Sequence, residues 1–121
     1  MSLGIVFKGP EGLVFAADSR VTLTFQPTLP APAPGAAPQA IMLVPAFYDN
    51  ATKLLSCAGQ KYVAAVTYGL GAIGAAEPRT AHSYMPELEA ELAAEARLSV
   101  EEFASRLGQF FVERFQDAGV V

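Results

Sequence analysis

Residues Leu3 to Thr22 read LGIVFKGPEGLVFAADSRVT. Two short runs within it, LGIVFK and GLVFAAD, are filled with β-branched, aromatic and small apolar residues, the composition of strands. Between them Gly9-Pro10-Glu11-Gly12 carries turn chemistry, because proline presets its own φ and glycine accepts a positive one. The stretch therefore predicts a β-hairpin whose second strand ends in an acid-x-base triplet, Asp18-Ser19-Arg20. Charges at the end of an apolar strand have two readings, solvation of a turn or the mouth of a site.

Downstream, KLLSCA from Lys53 and YVAAVTYG from Tyr62 to Gly69 read as a second hairpin of buried strands, with Gly59-Gln60-Lys61 as the connection. Between the two hairpins lies QPTLPAPAPGAAPQAIMLVP, which holds six of the nine prolines. Proline removes helical freedom and ladder donors, so the segment from about residue 26 to 47 reads as a Pro/Ala-rich insertion. It is either a surface loop or, given the apolar patch Ile41-Met42-Leu43-Val44 at its end, a subunit contact or lid. The run Gly69-Leu70-Gly71-Ala72-Ile73-Gly74 has the GxGxxG spacing of nucleotide-binding loops, but that fingerprint opens a helix at once and here Glu77-Pro78 interrupts. The nucleotide reading is set aside.

Two helices follow. Pro86 suits a first helical turn, and the first helix is expected from about Met85 to Ala96, with Leu88 and Leu92 on one face and Glu87, Glu91 and Glu95 on a solvated one. Ser99 and Glu102 form a capping box that opens a second helix. In it Val100, Phe103, Leu107, Phe110, Phe111 and Phe115 recur at helical spacing, a stripe wide enough to lie on a sheet. Four strands and then two helices predict an α+β arrangement with helices on one sheet face. The other face is also apolar and needs a second layer, supplied either by a longer reading frame, the favoured expectation given that the chain stops at Val120-Val121, or by oligomerisation.

At 121 residues the chain permits a single domain. A net charge of -4, with the basic residues scattered singly, argues against nucleic acid and anionic membranes as partners. The one cysteine, Cys57, leaves no internal disulfide, and no secretory leader or membrane-spanning run is visible. These features suit a soluble cytoplasmic protein. Cys57 with His82 does not read as a Cys-His hydrolase, since Cys57 falls inside an apolar strand and His82 near a helix start.

Taken with Thr52-Lys53-Leu54-Leu55, the opening hairpin resembles the amino-terminal half of a proteasome β-type subunit, a family of N-terminal-nucleophile hydrolases. Laying Asp18 on the family's aspartate puts Ser2 on the nucleophile position, Lys8 where a lysine is common and Lys53 on the catalytic lysine. The segment Tyr62 to Gly69 resembles the family's fourth strand, which implies Gly69 as the oxyanion donor, and the helices resemble its first two. The chain departs from the family in its serine for threonine, in the insertion and in stopping about halfway through the family's domain. The resemblance implies an αββα sandwich of which residues 1–121 hold the first half as one incomplete domain.

It also implies a chemistry. A serine hydroxyl needs a base, and at a chain terminus its own α-amine, with an ordinary pKa of about 8, can serve once Met1 is removed. Lys53 would favour the alkoxide, Asp18 would pair the ammonium, and Arg20 would hold the aspartate or the following loop. The Gly69 N–H would receive the oxyanion, a role valued in other hydrolases at roughly 3 kcal/mol. The expected activity is peptide-bond hydrolysis without cofactor or metal, on peptides or unfolded polypeptides, in a homo-oligomeric ring with an ATP-dependent unfoldase as a candidate partner. Two alternatives stand beside it: a non-catalytic scaffold or assembly subunit of the same fold, in which Ser2 is merely a second residue and Lys53 a solvated strand end, and an amidase acting on a small amide.

Overall fold

The first hairpin forms from the residues that predict it. Strand β1 (Gly4–Gly9) and strand β2 (Gly12–Ala17) pair antiparallel from Gly4↔Ala17 to Gly9↔Gly12, leaving Pro10 and Glu11 as the loop. Gly12 takes φ +140, a conformation that glycine enters without steric cost. The computed structural model describes residues 2–25, 33–37, 43–69, 71–74 and 77–119. Met1, Ile41-Met42, Leu70 and Val120-Val121, which the sequence reading singles out, lie outside them.

Among the described residues six strands are present instead of the expected four. Strand β3 (Val21–Phe25) and strand β4 (Val44–Tyr48) pair antiparallel from Val21↔Tyr48 to Phe25↔Val44. Pro45 argues against a strand by composition, yet among the described residues β4 pairs with β3 alone, and a proline is tolerated at a strand edge. The insertion is therefore bounded by a strand pair, and its last residues belong to β4. Leu43 and Val44 remain exposed.

The second hairpin is shorter than expected. Strand β5 (Leu54–Leu55) and strand β6 (Ala65–Val66) pair over two residues each, and Leu54 is exposed while Leu55 is buried. The chain leaves the ladder because Gln60 N–H turns back to the Cys57 carbonyl at 3.0 Å. Buried Gln60 then donates from Nε2 to the Ala96 carbonyl at 3.1 Å and accepts the Leu98 N–H at 2.8 Å. A residue read as part of an exposed connection thus ties the strand loop to the segment between the helices. The strands make three two-stranded sheets rather than one sheet, with β2 lying against β5 and β6. A Cβ on Gly4 would meet Val66 Cγ1 at 2.5 Å, so glycine permits that close approach.

A short 3-10 turn, Ala81–Tyr84, leads into α1 (Met85–Leu92), and α2 (Val100–Asp117) follows. Helix α1 stops at Leu92 rather than reaching Ala96. Its last turn holds Glu91 and no cation, which the helix dipole disfavours, and Glu95 N–H bonds back only three residues to Leu92. In α2 the capping box is complete: Ser99 Oγ accepts the Glu102 N–H and Glu102 accepts the Ser99 N–H. Phe103 and Phe110 are buried, but Val100, the first helical residue, is exposed and lies outside the stripe.

The core joins Leu55, Cys57 and Ile73 to Tyr84, Met85, Leu88 and Leu92 of the first helical segment and to Phe103 and Phe110 of α2. Tyr84, Phe110 and Phe111 meet edge to face with centroids 5.3 to 6.4 Å apart, the favoured aromatic geometry. The acidic stripe of α1 is not merely solvated. Arg114 reaches Glu87 and Glu91 at 3.4 and 3.3 Å, and Arg106 reaches Glu95, just past the end of α1, at 3.0 Å, so these acids face the arginines of α2. By contrast, the β1–β2 hairpin leaves Leu3, Ile5, Phe7 and Val14 exposed on one face and Val6 and Leu13 exposed on the other. No helix among the described residues is long and apolar enough to cross a membrane.

Candidate active site

Three ladder extensions gather the site. Asp18 N–H donates to the Leu3 carbonyl at 3.1 Å, carrying the first hairpin one step past β2 and setting Asp18 beside Ser2. Thr67 N–H donates to the Lys53 carbonyl at 2.9 Å, carrying the second hairpin past β5 and fixing Lys53. Ala51 N–H donates to the Ser19 carbonyl at 3.0 Å, closing the base of the third strand pair next to both. Each bond is backbone, so these positions follow from strand register rather than from side-chain chance.

On that frame Lys53 Nζ lies 2.9 Å from Asp18 Oδ2 and 3.3 Å from Ser2 Oγ. Lys53 is only 7% exposed, so it is no solvated strand end. Asp18 Oδ1 accepts the Leu3 N–H at 2.8 Å, and Oδ2 accepts the Arg20 N–H at 3.3 Å. The Leu3 N–H first, and then the Lys53 ammonium, hold the Asp18 carboxyl down to about 2, outweighing the desolvation that opposes them. A carboxylate that accepts from two N–H groups and an ammonium has its lone pairs committed, which orients it rigidly.

Arg20 takes only one of the roles expected of it. Its backbone N–H reaches Asp18, but its guanidinium turns away to Asp49, with Nε 2.5 Å from Oδ1 and Nη2 3.0 Å from Oδ2, and rides over the Phe47 ring. The pairing raises the Arg20 pKa and lowers that of Asp49. The side chain thus braces the loop after β4 rather than the aspartate. Asp49 has a sequence signal only in hindsight: an acid just past β4 stands opposite the arginine just before β3, a match legible once the register is known.

Gly69 joins Ser2 and Lys53 in lining a cavity of about 60 Å³. It has φ +87, where glycine is favoured. Thr67, which also donates its hydroxyl to the Lys53 carbonyl at 3.3 Å, lines the same cavity, and so do Val21, Thr22 and Gly71, none of which the sequence reading singles out for the site. Cys57 lies in the core, where burial pushes its thiol pKa up, so it is no poised nucleophile. Among the described residues no three His, Cys, Asp or Glu side chains come together as a metal-binding group.

The arrangement of hydroxyl, buried ammonium and carboxylate is therefore local, hydrogen-bonded and open to a small cavity. No family model, curated protein or solved structure matches this chain. The fold is mixed α+β, built of small antiparallel strand pairs and two helices.

Proposed function

We propose that this protein is an N-terminal-nucleophile hydrolase of the proteasome β type that cleaves peptide bonds through Ser2. The observation that carries the reading is the contact of Lys53 Nζ with both Ser2 Oγ and Asp18 Oδ2, across two hairpins and with the lysine buried. Burying an ammonium carries a desolvation cost even when a carboxylate pairs it, and such charge clusters in a cleft are candidates for function.

After Met1 is removed, the free Ser2 α-amine takes the hydroxyl proton as Oγ bonds to the scissile carbonyl carbon. The Lys53 charge favours the oxyanion of Ser2, and the Gly69 N–H is the candidate donor to the tetrahedral oxygen. Collapse breaks the C–N bond, and the departing amine takes the proton from the α-ammonium. Water, deprotonated by the same α-amine, then attacks the ester, releasing the acid and restoring Ser2. In this reading the exposed face of β1–β2 belongs to a larger αββα sandwich, and the subunit works in a homo-oligomeric ring on peptides or unfolded polypeptide delivered by an unfoldase.

The test begins with the intact mass of protein made from its complete native reading frame, which reports whether Met1 is absent. Protein lacking Met1 is then compared with Ser2→Ala on a peptide panel. Parent turnover that disappears in the variant supports the reading, and equal turnover sinks it.

A further inference from the structure

We infer that the cavity beside Ser2 receives the substrate side chain on the acyl side of the scissile bond and selects a small, uncharged one, of the size of alanine or serine. The inference rests on the acyl-transfer reading and adds its substrate class. The cavity touches Ser2, Lys53 and Gly69, so a carbonyl under attack by Ser2 sits at its mouth and the adjoining side chain falls into it. Its volume is about 60 Å³. An enclosed apolar cavity of roughly 150 Å³ accepts benzene, so less than half of that space favours a side chain of one or two heavy atoms over leucine or phenylalanine.

One side of the wall, where Val21 meets Gly71, is packed so that it cannot retreat. Val21 is buried, and a Cβ placed on Gly71 would collide with Val21 Cγ1, so backbone and side chain already touch across the cavity. Val21 is paired with Tyr48 in the ladder, which holds its backbone in place. A close-packed wall of this kind resists a larger group by overpacking rather than yielding to it.

The lining also excludes charge. Its two cations are committed, Lys53 to Asp18 and Arg20 to Asp49. The rest of the polar side-chain lining is hydroxyl, from Ser2, Thr22, Thr52, Thr67, Tyr68 and Thr80, which suits a small polar group as well as a methyl and gives a carboxylate or an ammonium no opposite charge to pair with.

The experiment uses the full-length protein from which Met1 is absent by mass. A simple β-lactone with no amino-acid side chain tests Ser2 by itself, as a mass increase lost in Ser2→Ala. Peptides that differ only in the residue before the scissile bond, alanine, serine, leucine, phenylalanine, aspartate and lysine, then test the cavity. Expected are lactone acylation and kcat/KM at least tenfold higher for alanine and serine than for each of the others, the scale on which one or two carbons discriminate in a fitted pocket. Val21→Ala should narrow the alanine-to-leucine ratio at least fivefold, and if that buried change prevents folding, Thr22→Ala on the exposed side of the lining should narrow it in the same direction. Acylation with leucine or phenylalanine cleaved as well as alanine overturns the inference and leaves the acyl-transfer reading standing. No acylation of Ser2 overturns that reading and this one with it.

Discussion

Lys53 Nζ lies 2.9 Å from Asp18 Oδ2, and the two residues belong to different hairpins separated by the whole of the Pro/Ala-rich segment. Their pairing couples the ends of β2 and β5, so the site exists only when both hairpins have docked. The lysine is the more buried partner, and it is the one whose charge most needs the other. That asymmetry decides how the pair responds to substitution.

Replacing Lys53 by methionine keeps the length of the side chain and removes the charge. Peptide hydrolysis by protein lacking Met1 is expected to fall by at least about a hundredfold, the scale of a lost electrostatic stabiliser, while the fold survives because methionine suits a buried position. Lys53→Arg is expected not to restore it, since a planar fork cannot place one nitrogen between Ser2 and Asp18 as an ammonium does. Steady-state rates for the three proteins check this. An active Lys53→Met enzyme would remove Lys53 from the chemistry.

The Asp18 carboxyl titrates at about 2, below its ordinary 3.8, because the Leu3 N–H and then Lys53 favour its charged form. A depressed folded pKa means that the stability it contributes is fully present above the unfolded value near pH 4 and is lost as pH falls toward 2. Carbon-detected NMR titration of the Asp18 side chain should find its midpoint near 2 in the parent. In Lys53→Met the midpoint should rise yet stay below the ordinary value, because the Leu3 N–H still donates. A midpoint unmoved by the substitution would mean that the ion pair contributes nothing to the shift.

What the sequence made legible was local. The turn at Gly9 to Gly12 and the Ser99–Glu102 capping box depend on residues a few positions apart, and both form as read. Asp18 is placed by the end of an apolar strand, but Lys53 enters the site only through a family resemblance, because no periodicity links residues so far apart. The rest was hidden by long-range pairing. Pro45 disguised β4, which among the described residues pairs on one side only, and the acids from Glu87 to Glu95 gave no sign that Arg106 and Arg114 would face them. Gln60 looked like a turn residue, although its amide satisfies backbone groups more than thirty positions away.

Gln60 leads to a prediction about stability alone. Gln60→Leu retains the apolar volume and abandons both the Ala96 carbonyl and the Leu98 N–H, which the glutamine amide now satisfies. Each part-buried group left unpaired costs about 1 to 3 kcal/mol, so urea unfolding should show a loss of about 2 to 6 kcal/mol with little change in slope. Gln60→Glu should recover part of it at acidic pH, where the neutral acid still accepts from Leu98 and can donate its O–H to Ala96. Equal stability of the leucine and glutamate variants at that pH would mean that these bonds are worth nothing.

The contact between Gly71 and Val21 makes the cavity wall testable through compensation. Gly71→Ala forces a methyl into Val21 Cγ1, and overpacking of this kind costs about 1 to 3 kcal/mol. Val21→Ala alone should also destabilise, by leaving a gap where a buried valine was. Together the two should cost less than the sum of the single changes, since the new methyl occupies the space that the valine vacates, and the coupling should reach about 1 kcal/mol. A double-mutant cycle from urea unfolding measures it. Strict additivity would show that Gly71 and Val21 do not touch, and the rigid wall on which small-residue selection depends would go with that contact.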